Sequence, residues 1–318
     1  MTRETNSPVD EEQQRRKRWR PLLAYAFLAC AVALVLLNLV TDARVSRYDA
    51  TAPRDPASGL LAGMTPRKLG PASGQKAVLF VHGFIGAQSN FNTLPDAVAD
   101  AGWYVETMRL PGHGTSPRDF ERTTADELVA GVAEAVAALR TRYATLVVVG
   151  HSMGGSLSAL AAAEVPVDGL VLCAPYFGLT QHRVLGVKTA WLAQRIATVV
   201  RWLPGRPGNG PVAKPEGRAH IDCYGWIPMA GALAALAIGE RANDPAALKA
   251  VTAPVLAIHS KGDSVTSREA TAGALSRMEN APVQTLWLER SDHVLFWDYE
   301  EAIVQERILT FLREIDAL

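Results

Sequence analysis

Cysteine is scarce, with three in 318 residues, at positions 30, 173 and 223. A disulfide-stapled scaffold is thereby excluded, and so is a zinc site built on paired cysteines. Cys30 lies inside an apolar run, which leaves Cys173 and Cys223 as the only pair available to the rest of the chain. A bridge between them is conceivable outside the cytoplasm; the alternative is two buried free thiols. Charge of either sign is also lacking in excess, since 32 Lys and Arg face 32 Asp and Glu. A nucleic-acid binder carries a basic face or stripe. The one basic block here is confined to the first 20 residues, so no nucleic-acid partner is expected. There is no H-E-x-x-H, and no Lys-Ser or Lys-Thr follows the glycine-rich stretch 205–210, so neither a zinc protease motif nor a phosphate loop is present. Internal repeats and low-complexity tracts are missing as well.

The strongest feature that is present is a long apolar run. Pro21 to Val40 (PLLAYAFLACAVALVLLNLV) carries no charge. As a helix rising about 1.5 Å per residue, it would cross the roughly 30 Å hydrocarbon core of a bilayer. RRKRWR (15–20) precedes it, and Trp19 and Tyr25 suit its interfaces. This predicts a cytoplasmic basic tail (1–20), a single transmembrane anchor (21–40), a linker (41–75) and a body (76–318) on the far side of the membrane. The alternative is a signal peptide, cleaved to release a secreted body. Signal peptides have a shorter apolar region and a small-residue cleavage site, and Thr41-Asp42-Ala43 is a weak one.

From Ala77 onward, short β-branched runs alternate with longer helical patterns, as in a parallel sheet covered by helices. The strand candidates are 77–81, 103–108, 145–149, 169–173, 255–259 and 283–288. Helices are expected near 91–101, 124–142, 153–164, 267–278 and 300–315. Leu128, Val132, Val136 and Leu139 mark the buried stripe of the second. The expected fold class is α/β, with a mostly parallel central sheet. Between about 176 and 248 no clean strand is visible, and such an interval is too long for a bare loop. It reads as a helical cap over the carboxyl ends of the strands, with Leu185–Leu203 as one helix and Trp226–Ile238 as a second apolar segment.

Gly150-His151-Ser152-Met153-Gly154 fits G-x-S-x-G, between the strand TLVVV and a helix of small residues. That setting is the nucleophile elbow, a strained turn that raises a serine hydroxyl above the sheet. The hydroxyl needs a base, and the base needs a carboxylate to orient it. Of seven histidines, only His293 lies beyond the last strand, in Ser291-Asp292-His293. Asp263 directly follows the strand 255–259, on the same sheet edge as Ser152, and Asp292 is its rival. The chain order serine, acid, histidine then holds. Backbone N–H groups of Met153, after the nucleophile, and of Phe84, in His82-Gly83-Phe84-Ile85-Gly86, are the candidate oxyanion donors.

These residues, with Leu110–Pro117 (LPGHGTSP) and GHSMGG (150–155), resemble the α/β-hydrolase superfamily, and within it the monoacylglycerol lipase and bacterial carboxylesterase branch. The likeness runs over about 76–315. It implies catalytic roles for Ser152, Asp263 and His293, oxyanion donors at Phe84 and Met153, and a lid at 176–248. Relatives in this branch are commonly soluble, and a glycine is frequent where this chain has Ser260. The expected activity is hydrolysis of a lipid-like or medium-chain acyl ester through an acyl-enzyme, with no metal or cofactor required. Trp191, Trp202, Tyr224 and Trp226 are candidate substrate-binding residues, with cap packing as their other use. An acyltransferase or serine peptidase could employ the same triad, and a silent membrane-tethered binding module would use none of it. Serine at the elbow argues against dehalogenase or epoxide-hydrolase chemistry.

Overall fold

The computed structural model describes residues 8–205, 207–221 and 224–318. Two compact units are present, residues 1–47 and 48–318. In the first, the apolar run forms part of a helix, α1 (Pro8–Thr51). Leu22, Leu23, Phe27, Leu28, Val35 and Leu36 are all exposed on it. By length and composition it could cross a membrane. Helix α1 continues past the expected boundary at residue 40, because no glycine or proline interrupts 41–51. It stops two residues before Pro53, whose ring disfavours helical backbone in the residue ahead of it.

Residues 48–75, expected as part of a linker over 41–75, belong to the second unit. The Leu61 N–H donates to the Gly114 carbonyl at 2.8 Å, and Leu61 and Met64 are buried. The Arg54 guanidinium donates to the carbonyls of Gly59 and Thr115, at 3.1 and 2.9 Å. The Ser116 hydroxyl donates to Asp49. Strand β1 (Arg67–Leu69) then pairs antiparallel with β3 (Tyr104–Thr107).

The remaining strands of this sheet are parallel: β2 (Lys76–Val81), β4 (Thr145–His151), β5 (Gly169–Cys173), β10 (Val255–Ser260) and β11 (Val283–Leu288). Their spatial order is β1-β3-β2-β4-β5-β10-β11. All six sequence candidates are strands, with ends differing by at most two residues. Strands β2, β4, β5 and β10 are buried on both faces, which accounts for their continuous apolar runs. One face packs Leu79, Val148, Leu172 and Ala257 under helices α4 (Ala125–Arg140) and α5 (Met153–Glu164). The other packs Phe80, Val149, Val171 and Ile258 against α11 (Glu301–Asp316), through Ile308, Phe311 and Leu312. Helices α2 (Leu94–Asp100), α3 (Pro117–Arg122) and α10 (Arg268–Leu275) complete the layers. Helix α4 starts at a capping box: the Thr124 hydroxyl accepts from the Glu127 N–H, and the Glu127 carboxylate accepts from the Thr124 N–H.

The interval 176–248 is not purely helical. It holds two small antiparallel ribbons, β6–β7 (Arg183–Val184, Val187–Lys188) and β8–β9 (Trp202–Pro204, Trp226–Pro228). The helix expected over 185–203 is cut to α6 (Thr189–Ala197). Its first residues form the tight β6–β7 turn, with positive φ at Leu185 (48°) and Gly186 (80°), and its last residues join β8. A short α7 (Pro215–Arg218) follows. Helix α8 (Met229–Ala242) departs further from a cap: Ala234, Ile238 and Ala242 belong to the same core as Leu157 of α5. Helix α9 (Pro245–Ala250) returns the chain to β10. Cys173 is buried as a free thiol, and Cys223 lies outside the described residues.

Candidate active site

The turn after β4 forces Ser152 to φ 55° and ψ −123°, a left-handed backbone that costs a side-chain-bearing residue about 1–3 kcal/mol. Two glycines make the turn possible. A Cβ on Gly154 would collide with the carbonyl oxygens of Val81 and His82, and one on Gly83 would lie 2.8 Å from the Ser152 Cβ. The hydroxyl therefore sits where the ends of β2 and β4 meet, 8% exposed as a residue.

His293 comes from the loop after β11. Its Nε2 lies 2.9 Å from the Ser152 Oγ, and its Nδ1 lies 2.9 Å from Oδ2 of Asp263. The backbone N–H groups of Val265 and Thr266 both donate to Oδ1 of Asp263, at 2.8 Å, which fixes the carboxylate plane. Burial alone would push the pKa of this group up, because it disfavours the charged carboxylate. The facing His293 and the hydrogen bonds from neighbouring histidines outweigh burial and hold the carboxyl well below the usual carboxylate range. Asp292 is turned away: its carboxylate accepts from the Ser264 N–H at 2.8 Å, the Ser264 hydroxyl at 3.1 Å and the His293 N–H at 2.8 Å.

Met153 opens α5, where the first N–H groups of a helix have no partner within the helix. Phe84 lies on the loop after β2. That loop is held by a Gly86 N–H donating to the Gly83 carbonyl at 3.1 Å, and by the Ala87 N–H donating to the Asn90 side chain at 2.9 Å. Among the described residues, neither the Met153 nor the Phe84 amide donates to an acceptor.

Three other histidines frame the site as neutral rings. Burial pushes His82 down to about 4, and His113 and His151 to about 3. The His82 Nε2 accepts from the Leu110 N–H at 3.2 Å, so its Nδ1 is the protonated nitrogen, donating to the Gly83 carbonyl at 2.9 Å. His113 packs on Phe120, with ring centroids 4.1 Å apart. The His151 Nε2 donates to the His293 carbonyl at 3.1 Å and so braces the loop that carries it.

Ser152 and His293 open into a cavity of about 390 Å³. Its walls are largely apolar, with Phe84, Ile85, Pro211, Ile221, Ile227 and Val294 among them. None of the four aromatic candidates lines it. Trp202 and Tyr224 are buried in packing; the Tyr224 hydroxyl donates to the Gly112 carbonyl at 2.9 Å. Trp226 pairs with Pro204 across the β8–β9 ribbon. Trp191, 48% exposed, lines a separate cavity of about 710 Å³ with Tyr176, Leu233 and Leu236. The wall residues that sequence reasoning missed, Ile221, Ile227 and Val294, are ordinary aliphatics. One signal was available: Val294 directly follows the candidate base.

Fold, elbow turn and apolar cavity together define a serine hydrolase of the α/β-hydrolase superfamily, in its esterase and lipase branch. The chain belongs to the family described as serine aminopeptidase, S33, whose model matches residues 72–300. A thermostable monoacylglycerol lipase from Bacillus sp. (strain H-257) is 43% identical over 100 residues, a match spanning 31% of this chain and 40% of that enzyme. A carboxylesterase from Bacillus subtilis is 24% identical over 257 residues, 80% of this chain and 98% of that one. A solved structure of the metagenome-derived lipolytic enzymes LipS and LipT superposes with a TM-score of 0.71 at 26% identity, covering 80% of this chain and 99% of the other.

Proposed function

We propose that this serine hydrolase is a membrane-anchored esterase that cleaves lipid-like or medium-chain acyl esters of monoglyceride type, with Ser152, His293 and Asp263 as its catalytic triad. The observation that carries the reading is the unbroken hydrogen-bond chain from the Ser152 hydroxyl through His293 to Asp263, at the floor of an apolar cavity. In the mechanism, His293 takes the hydroxyl proton as Ser152 attacks the ester carbonyl. The Met153 and Phe84 amides receive the oxyanion, a contribution of about 3 kcal/mol per donor in comparable sites. Collapse expels the alcohol, which takes the proton from His293. Water, deprotonated by His293, then releases the acid and restores the serine. Asp263 holds the ring and stabilises its cation.

The family description raises a peptidase as the second reading. Recognition of a peptide amino terminus calls for a carboxylate near the nucleophile, and none is present among the described residues lining the cavity. The Bacillus sp. monoacylglycerol lipase and the Bacillus subtilis carboxylesterase are named for esters. We read residues 21–40 as the anchor, with RRKRWR on the cytoplasmic side.

The deciding experiment compares p-nitrophenyl esters from C2 to C16 with aminoacyl p-nitroanilides. Esters of medium length should turn over, and Ser152→Ala should abolish turnover. Hydrolysis confined to the anilides would replace the esterase reading with the peptidase one. For the anchor, a reporter fused after residue 60 should be active only outside the cytoplasm; activity only inside it would reverse the topology.

A further inference from the structure

His259 is the penultimate residue of β10, is fully buried, and takes no part in the chemistry above. Its Nε2 lies 3.1 Å from the Thr266 carbonyl oxygen and 3.2 Å from Oδ2 of Asp263. A carbonyl can only accept, so Nε2 carries the proton, and this one N–H is shared between two oxygens. Nδ1 has no partner among the described residues; in this tautomer it is a bare lone pair rather than an unsatisfied donor. Thr266 repeats the pattern, with its hydroxyl 2.9 Å from Asp263 Oδ2 and 3.2 Å from the Ala174 carbonyl. With the His293 Nδ1, three donors converge on one oxygen that has two lone pairs. His259 and Thr266 each have a second acceptor in reach.

We propose that His259, with Thr266 beside it, is a positioning residue for the reaction: its shared N–H steadies the Asp263 carboxylate while His293 is neutral, and yields to His293 as the imidazolium forms. This rests on the triad proposed above. In the resting site the extra donors fix Oδ2 and draw off some of its charge, so it attracts the His293 cation less than a bare carboxylate would. As the Ser152 proton passes to His293, the His293–Asp263 bond comes to join two opposite charges and shortens. His259 then turns fully to the Thr266 carbonyl, and Thr266 to that of Ala174. Among the described residues, the side chains facing Oδ2 of Asp263 are His293, His259 and Thr266. His293 also faces Ser152 and the His151 ring, and His259 faces Trp287.

The test is the pH profile of kcat/KM, with kcat and KM measured separately, for the full chain carrying His259→Leu, His259→Gln or His259→Asn. Leucine removes the donor at similar volume. Glutamine places an N–H near the position of Nε2, whereas asparagine places it near Nδ1 and reaches neither oxygen. The leucine and asparagine variants should lose about tenfold in kcat with KM unchanged. Their acid limb should move to higher pH, because a carboxylate short of donors makes His293 more basic. The glutamine variant should keep the wild-type kcat and limb. If the leucine variant fails to fold, the glutamine–asparagine pair decides. A folded leucine or asparagine variant with wild-type kcat and acid limb overturns the proposal, as do equal losses in the glutamine and asparagine variants, which would mean packing alone. Asp263→Asn in the same series keeps the two readings apart. If it is inactive while His259 is silent, only this inference falls; if it is fully active, the triad falls too.

Discussion

Two aspartates stand close to one imidazole, and their hydrogen-bond partners separate them. Asp263 meets the Nδ1 side of His293, whereas Asp292 is spent on Ser264 and on the backbone N–H of His293 itself. Asp263→Asn removes the charge that stabilises the imidazolium and favours the wrong tautomer, so kcat on a p-nitrophenyl ester should fall about 10⁴-fold. Asp292→Asn keeps an acceptor for the same N–H groups and should leave kcat within an order of magnitude of wild type. Reversed effects would exchange their roles. The three side chains that the fold joins in one hydrogen-bond chain, Ser152, His293 and Asp263, were visible in the sequence because each is tied to a local signature: a glycine-flanked serine after a strand, an aspartate at a strand end, and a histidine beyond the last strand. The cavity wall was not. Ile221, Ile227 and Val294 meet only through non-local packing, and no spacing announces it. Of the cap aromatics that were candidates for binding substrate, Trp202 and Tyr224 are buried in packing.

At the scale of elements, the close passage of α5 under β2 determines how well the elbow is formed. A methyl group on Gly154 would strike the carbonyl oxygen of Val81, the last paired residue of β2, and that of His82 beside it. Gly154→Ala should therefore cost about 1–3 kcal/mol and lower the melting temperature. It should also slow labelling of Ser152 by a fluorophosphonate by more than the lost stability explains. Normal labelling with a normal melt would show that the turn tolerates the methyl. Strands β2, β4, β5 and β10 were legible because runs buried on both faces are continuously apolar. The cap ribbons were not, since two or three residues carry no period. The Leu192–Ile196–Val199–Leu203 stripe continues on paper beyond Ala197, where the pairing of β8 with β9 overrides helical periodicity.

At the scale of the whole molecule, the buried histidines make stability depend on pH. His82, His113 and His151 are held at about 4, 3 and 3, below the ordinary value of 6.5. Between those values and 6.5 the unfolded chain binds protons that the folded chain refuses, so stability falls as pH falls through this window. Each unit of separation is worth about 1.4 kcal/mol per group. Asp263, held low, adds its own loss only further into the acid, as the carboxylate is protonated. Thermal melts of the chain should drop steeply from pH 6.5 to pH 4, and His113→Gln should flatten the slope by about one proton. A melting temperature unchanged over that range would mean that these rings take up protons in the fold as readily as in the unfolded chain.

The stitching of residues 48–69 onto the Gly112–Ser116 loop and the β3 edge bears on where this enzyme can be cut. A truncation at Tyr48 leaves that seam whole, and should yield a catalytic fragment that stays in solution. A cut at Lys76, where the hydrolase pattern first becomes visible, discards Leu61, Met64 and the β1 edge. It should leave the LPGHGTSP turn unsupported and the fragment prone to aggregate.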